Sequence, residues 1–222
     1  WHQYFRQEEA HNTFRILGFR QVEYAGRLKW RKAKNVELVS WGDSGPVSSC
    51  AARLVLSPEV SAVRQISYHK PSFWVVQDKV ESESDHEVEA YFNFHPDVFV
   101  SLTSSEQEIK AVNQEAGLVI KFLRDVDIKD TTDDDSPSGW VCSGYGIRHR
   151  SSSVTVKWSA HGNAKTLPFV MVPFPAHLDK PVVEYDPQEL TWRVQTGGET
   201  FCIDLDANPH PSPTSGVGME HA

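Results

Sequence analysis

The sequence has 222 residues, of which 39% are hydrophobic and 11% aromatic, with seven tryptophans. This is ample material for a packed core, and it excludes global disorder. The formal net charge of -8 argues against a nucleic-acid partner, which would call for clustered positive charge, and no apolar run approaches the roughly 18 residues of a membrane span.

The first distinctive segment is Tyr4–Ile16, in which a His-Asn-Thr triplet opens a strand-like run. A histidine at the start of a strand, such as His11, can direct its imidazole away from the end of the sheet, where a metal ion or substrate could reach it. On residue type alone, a lone histidine is more often a structural residue held by hydrogen bonds.

Because Trp1 follows neither an initiator Met nor a signal segment, we expect the sequence to start inside a larger or processed protein.

Five basic residues come next within eight positions: Arg27, Lys29, Arg31, Lys32 and Lys34. The ordinary interpretation is a solvated surface, and the alternative is a surface that faces an anionic polymer.

Residues 61–96 predict a strand, a Lys-Pro-Ser turn, a strand that ends at Asp78, a charged turn, and a strand that ends at a His-Pro pair. Asp78 and His86 flank the charged turn, and we expect them to cap or pin it.

Alternation of apolar and polar residues predicts strands through most of the chain. The clearest predicted strands are 73–80, 86–94, 118–123, 153–159, 167–172, 189–195 and 199–205. Residues 105–116 have little apolar face and are predicted as strand and loop instead of helix. Many short strands separated by turns predict an all-β fold, a large antiparallel β-sandwich formed by residues 1–206. Residues 207–222, rich in Pro, Ser and Gly, are predicted to be a flexible tail.

Standard catalytic signatures are missing from the sequence, including a G-x-S-x-G elbow, a phosphate-binding glycine loop, H-E-x-x-H and C-x-x-C. Three cysteines are too few for a disulfide framework, and we predict buried or half-buried free thiols.

The segment Gly139–Gly146 stands out because glycines on both sides of Tyr145 can expose its ring to a sugar. The alternative there is a bulge at a corner of the sandwich.

Several short motifs follow one another along about residues 4–205. In chain order they are Ala10–Thr13 (AHNT), Gly18–Gln21 (GFRQ), Arg64–Ile66 (RQI), Phe73–Asp78 (FWVVQD), His86–Glu87 (HE), Phe92–Pro96 (FNFHP), Gly139–Trp140 with Tyr145–Gly146, and Pro168–Pro173 (PFVMVP). No single motif is specific, but their joint order resembles the C-terminal β-sandwich of the heparinase II/III family of polysaccharide lyases.

The resemblance carries expectations about fold and function. Members of this family join an N-terminal α/α toroid to a large, supersandwich-like β-sandwich, and many cleave uronic-acid polysaccharides such as glycosaminoglycans or alginate by β-elimination. The implied partners are an acidic polysaccharide and an upstream portion of the same enzyme, made of the toroid and the first sandwich strands. A periplasmic or secreted location is implied as well.

The resemblance also implies roles for individual residues. A structural Zn²⁺ is expected, with His11 as one ligand and with two further ligands, from an H-x-H segment and an Asp, preceding Trp1. Tyr4 is expected to be catalytic, as a proton-transfer group or substrate contact. Arg6, as a carboxylate partner, and Asn12 and Tyr145 are expected to bind substrate.

Two alternative functions stay open at this point. A non-catalytic carbohydrate-binding β-sandwich is favoured by the exposed aromatic residues and by the lack of an internal acid/base set. A uronate C5-epimerase would abstract the same proton as a lyase and then return it to the opposite face of the sugar. The product of the reaction distinguishes an epimerase from a lyase.

Overall fold

A computed structural model of the chain consists of antiparallel β-sheets and describes residues 1–26, 29–31, 34–133, 137–162, 165–186, 188–189, 191–203 and 205. Three 3-10 helices span Tyr4–Arg6, Glu8–Ala10 and Ser104–Glu106. The strands are β1 (Phe14–Ile16), β2 (Glu23–Tyr24), β3 (Trp30–Arg31), β4 (Val36–Ser44), β5 (Val47–Ser57), β6 (Val60–His69), β7 (Phe73–Glu81), β8 (His86–Asn93), β9 (Phe99–Thr103), β10 (Glu108–Val112), β11 (Ala116–Phe122), β12 (Asp127–Asp130), β13 (Trp140–Gly144), β14 (Ile147–Arg150), β15 (Ser153–Ala160), β16 (Thr166–Pro175), β17 (Val182–Asp186), β18 (Thr191–Thr196) and β19 (Glu199–Ile203).

Two sheets form the main sandwich. The larger has eight strands in the order β4-β5-β6-β7-β16-β11-β10-β9, and the smaller has four in the order β1-β8-β15-β12. Their facing sides meet in an apolar core that includes Phe122 and Val80 from the larger sheet and Val88 and Trp158 from the smaller one. The predicted all-β, antiparallel sandwich is therefore confirmed.

A three-stranded sheet, β17-β18-β19, covers the opposite side of the larger sheet. Its residues Val183, Val194 and Ile203 pack against Phe73 and Val75 of β7 in a second core. Strand β7 is therefore buried on both faces, since its Val76 and Val80 belong to the first core. This accounts for the unbroken apolar run Phe73–Val76 at its start, which is typical of strands covered on both sides.

The predicted strand positions agree with the structure, and segment 105–116 is a 3-10 turn followed by β10 and a loop, without an α-helix. The predicted end of a strand at Asp78 is wrong, because β7 continues to Glu81 and Asp78 lies within it, fully buried. His86 does pin the following turn, since its Nε2 lies 2.9 Å from Ser82 Oγ. The chain crosses there from the larger sheet to the smaller one.

The three cysteines are free thiols, as predicted, but only Cys50 is half-buried, and Cys142 and Cys202 are exposed. Their expected burial is therefore wrong for two of the three. In the described part of the chain, no helix is long and apolar enough to cross a membrane. The predicted tail, 207–222, lies outside the described residues, as do Arg27 and Lys32 of the basic cluster.

The first core gives a direct test of the fold. Phe122 is 1% exposed and packs against Phe92 and Phe169, with ring centroids 5.8 and 5.6 Å away. We expect Phe122→Ala to lower the free energy of unfolding by about 3–5 kcal/mol, because it removes apolar contacts and leaves a cavity. Urea unfolding followed by circular dichroism measures the change.

Phe99→Ala is the matched control, because the Phe99 side chain is 75% exposed on the edge strand β9. We expect it to change the free energy of unfolding by no more than about 0.5 kcal/mol. An equal decrease in the free energy of unfolding in the two variants would contradict the placement of Phe122 between the sheets.

Candidate functional site

The segment before β1 is held against the smaller sheet by two carboxylates. Glu8 is buried and accepts a hydrogen bond from the backbone N–H of Gln21 at 2.7 Å, with Arg20 Nη1 3.5 Å away. Glu9 forms an ion pair with Arg15, whose Nη2 also donates to Glu89 Oε2 at 3.0 Å. Because each carboxylate has a partner, this segment is fixed in position despite its short helices.

Tyr91 completes this polar network from strand β8. Its hydroxyl donates to Glu89 Oε2 at 2.6 Å, and burial, followed by this hydrogen bond, raises the pKa of Tyr91 strongly. Lys157 Nζ lies 2.6 Å from the other oxygen of Glu89. Glu89 is therefore occupied by a phenol and two cations and serves to hold the N-terminal segment in place.

His11 and Asn12 follow at the surface, and both side chains are exposed. The Asn12 carbonyl accepts from Arg64 Nη1 at 3.0 Å, and Asn12 Oδ1 accepts from the backbone N–H of Asn93 at 2.7 Å. The side-chain oxygen of Asn12 is thus used to fix the loop. Its amide N–H₂ and the second lone pair of Oδ1 can still turn toward a ligand.

His11 is the one expected zinc ligand that lies within this sequence. No three His, Cys, Asp or Glu side chains come together as a metal site among the described residues. A structural zinc site needs about four donors, so the described residues do not form a closed site by themselves. His11 fits the site as a single exposed imidazole donor on a loop whose backbone is held by Arg64 and Asn93.

Behind this loop lies a buried ion pair. Arg64 Nε and Nη2 donate to the two oxygens of Asp78 at 2.6 and 2.7 Å, and the Asp78 carboxylate is inaccessible to solvent. Burial raises the pKa of Asp78, and the hydrogen bonds and charge of Arg64 oppose that rise. The Arg64 guanidinium also lies 5.5 Å from the ring centre of Phe14. One arginine thus joins the core to the backbone of the His11 loop.

Tyr4 and Arg6 lie in the first 3-10 turn, and both side chains are half-buried. Burial is the largest cause that raises the pKa of the Tyr4 phenol; the neighbouring Ser138 side chain opposes the rise and the charge of Glu9 adds to it. The phenol is therefore protonated at neutral pH, as in any ordinary tyrosine, and its raised pKa makes it a weaker acid. Arg6 Nη1 donates to the Gly26 carbonyl at 3.4 Å.

Tyr145 is at the tip of the β13–β14 hairpin and is 95% exposed. The next residue, Gly146, has φ = +74°, a left-handed conformation that favours glycine and explains why the tight turn can present the ring to solvent. The predicted exposure of this aromatic residue is confirmed.

A cleft of about 560 Å³ opens between this hairpin and the end of β8. Its lining residues are Asn93, Phe94, His95, Pro96, Asp97, Val141, Cys142, Ser143 and His149. Since Asn93 also binds Asn12 and the carbonyl of Glu9, the cleft adjoins the His11 loop. Tyr4, Arg6 and Tyr145 are not among its lining residues.

The polar residues of this cleft were not predicted as site residues. His149 Nε2 lies 2.9 Å from Ser143 Oγ, and His95 Nδ1 accepts from the backbone N–H of Asp97 at 3.2 Å. One signal was present in the sequence, because Asn93 and His95 belong to the FNFHP motif. Its pairing with a hairpin about fifty residues later depends on the tertiary fold.

The heparinase II/III-like, C-terminal family model matches residues 1–193. The chain belongs to this family. The match covers both the His11 loop and the hairpin, and it confirms the resemblance seen in the order of the motifs. No curated protein sequence gives a significant match.

Solved structures show the same fold. The heparan sulfate lyase HepC from Pedobacter heparinus superposes with a TM-score of 0.69 at 11% identity, over 95% of this chain and 32% of that chain. A heparinase III, the BT4657 gene product, gives 0.65 at 12% identity over 90% and 31%. Another heparinase III gives 0.63 at 14% identity over 90% and 30%. The chain thus spans about a third of the length of these proteins.

The buried ion pair predicts an unusual dependence on pH. We expect Arg64→Met to lower the free energy of unfolding by about 3–5 kcal/mol near neutral pH, because it leaves the Asp78 carboxylate buried without a cation. The pKa of Asp78 in the folded variant then rises further above its unfolded value of about 3.9. A raised folded pKa favours the folded state at low pH, and this advantage is lost as pH rises through the folded pKa.

The loss of stability should therefore be larger at pH 8 than at pH 5, as measured by urea unfolding of Arg64→Met and the parent chain at both values. Arg53→Met is the matched control, because Arg53 pairs with Glu81 nearer the surface. We expect it to have little effect at either pH. A loss in Arg64→Met that is the same at pH 5 and pH 8 would contradict a role for the Asp78 charge.

Proposed function

We propose that this chain is the C-terminal portion of a polysaccharide lyase that cleaves uronic-acid-containing polysaccharide by β-elimination, and that it forms one wall of the substrate cleft. The observation that carries the proposal is the family match over residues 1–193. The fold shared with heparan sulfate lyase HepC and heparinase III supports it. An acidic polysaccharide is then the substrate, and a periplasmic or secreted location follows from where such polymers are found.

The chemistry requires three kinds of group. A base removes the proton next to the uronate carboxyl group, an acid protonates the leaving glycosidic oxygen, and hydrogen-bond donors stabilise the negative charge that develops on the carboxyl group. Tyr4 would be the acid, since a tyrosine phenol carries its proton at neutral pH. Arg6 supplies a cation for the carboxyl group, and the amide of Asn12 supplies a donor.

The remaining groups would come from the upstream portion of the enzyme. We propose that this portion, an α/α toroid with the first sandwich strands, supplies the base and completes the cleft. Tyr145 would stack on a sugar ring from the hairpin side, since its ring is exposed. His11 would contribute one imidazole to a structural Zn²⁺, and such an ion would tie the His11 loop to the upstream strands.

Tyr4→Phe tests the proposed proton donor. In the polypeptide that joins this chain to its upstream portion, we expect the variant to lower kcat about 100-fold or more on its preferred polymer, because the leaving oxygen loses its acid. Absorbance of the unsaturated uronate product measures the rate on heparan sulfate, hyaluronan and alginate. Tyr185→Phe is the control, because Tyr185 lies in the three-stranded sheet.

The outcomes separate the candidate functions. No product on any uronate polymer would contradict the lyase, and unchanged kcat in Tyr4→Phe would contradict only the role of Tyr4. Inverted uronate without chain cleavage would favour the C5-epimerase.

His11→Ala tests the metal role. In the same polypeptide we expect the variant to lose bound zinc, measured by elemental analysis after dialysis, because one of about four donors is removed. His161→Ala is the control, since His161 is an exposed histidine that follows β15. Equal zinc content in the two variants and the parent would exclude His11 as a ligand.

A non-catalytic carbohydrate-binding module is the second candidate, and it is favoured by the exposed ring of Tyr145. This function predicts that the chain alone binds neutral glycans and that His11→Ala leaves the affinity unchanged. Calorimetric titration of the chain and of its His11→Ala variant with neutral oligosaccharides measures the binding and compares the two affinities.

A further inference from the structure

One face of the β13–β14 hairpin carries a stack of aromatic and cationic side chains. Cys142 lies opposite Arg148, and Trp140 lies opposite Arg150, so these four side chains share a face. Trp1 packs edge-on against Trp140 with ring centroids 5.5 Å apart. The guanidinium carbon of Arg148 lies 4.0 Å from the centre of the Trp1 ring and 5.6 Å from that of Trp140.

Arg148 differs from the arginines that hold the fold together. Arg15, Arg53, Arg64 and Arg193 each form an ion pair with a carboxylate. The contacts of Arg148 within the described residues are with the two indole rings, and its side chain is exposed. Acidic residues outnumber basic ones in this chain, 30 to 22, so an exposed arginine without a carboxylate partner among the described residues is unexpected.

Stacking prepares the guanidinium for a ligand. A guanidinium that lies over an aromatic ring uses its flat face and leaves the N–H donors at its edge available. Those donors match the paired oxygens of a carboxylate or a sulfate. The rings also restrict the rotamers of Arg148, so less conformational entropy is lost when an anion binds.

The neighbouring residues place this stack beside the candidate site. Arg150 Nη1 donates to the Asp133 carbonyl at 2.9 Å, and its guanidinium lies 5.0 Å from the centre of the Trp140 ring, so a second arginine contacts the same indole. The Trp1 ring stacks on Phe5 at 6.0 Å, and Phe5 contacts Tyr4 at 5.4 Å. A chain of ring contacts therefore runs from Arg148 to Tyr4.

We propose that Arg148, with Trp1 as its stacking partner, forms a subsite that binds an oxyanion group of an acidic polysaccharide. Arg148 binds the carboxylate or sulfate through two N–H donors, and the half-exposed Trp1 ring offers an apolar surface to the sugar. This inference rests on the proposed function, because it assumes the same polymer. It adds to Tyr145, the hairpin residue already expected to bind substrate, an anion-binding role for Arg148 and Trp1 that neither the family match nor the motif order specifies.

Calorimetric titration of the 222-residue chain tests the subsite with three oligosaccharides of matched length: hyaluronan, which carries carboxylates; sulfated dextran, which carries sulfates; and neutral dextran. We expect binding of one or both anionic ligands, weakened by added salt, and no measurable binding of dextran. Arg148→Gln should weaken the anionic binding about 10- to 100-fold, the effect of losing hydrogen bonds between charged groups.

Two further variants make the result specific. Arg148→Lys should recover only part of the affinity, because an ammonium group keeps the charge but lacks the planar pair of donors. Arg53→Gln removes the same charge from strand β5 of the larger sheet, outside the hairpin, and should leave affinity unchanged. Thermal unfolding of each variant verifies that it is folded.

Each outcome decides for or against the subsite. Binding of hyaluronan, of sulfated dextran or of both, lost in Arg148→Gln, supports it and identifies the oxyanion. Equal affinity in Arg148→Gln and the parent, equal binding of dextran, or no binding of any ligand would overturn it. The lyase proposal is judged separately by the unsaturated product, so a failure of the subsite leaves that assay intact.

Discussion

The buried ion pair between Arg64 and Asp78 connects the core of this protein to its candidate site. Asp78 lies inside the sandwich, where an unpaired carboxylate would be unstable. Arg64 satisfies both of its oxygens and has one nitrogen left, which binds the Asn12 carbonyl. The position of the His11 loop therefore depends on a charge pair that the core itself requires. A change in the packing of β6 against β7 would move the loop.

The sequence predicted the strands in which the apolar pattern is strong. Strand β15 alternates between buried and exposed residues in its second half. Strand β16 is apolar almost throughout because both of its faces are buried. Strands β4 and β5 gave no comparable signal. Val36, Leu38 and Trp41 of β4 are exposed, and β5 has mostly half-buried residues, so neither shows the contrast of a strand with one covered face.

Asp78 shows how the sequence was misleading. A carboxylate close to a charged turn looks like a turn residue, because local sequence favours such an assignment. Its actual partner, Arg64, is fourteen residues away and directly opposite on the neighbouring strand. Sequence distance gives no sign of that pairing. The same limitation hid the cleft, because the FNFHP segment and the hairpin are far apart in sequence and meet only through the tertiary fold.

The position of strand β7 also affects how the molecule unfolds. Phe73 and Val75 belong to one core, and Val76 and Val80 belong to the other, so the two cores share a single backbone segment. Fraying of this strand would expose apolar area on both sides at once. We therefore expect the three-stranded layer and the main sandwich to melt in one cooperative transition, since neither can loosen around β7 without disturbing the other.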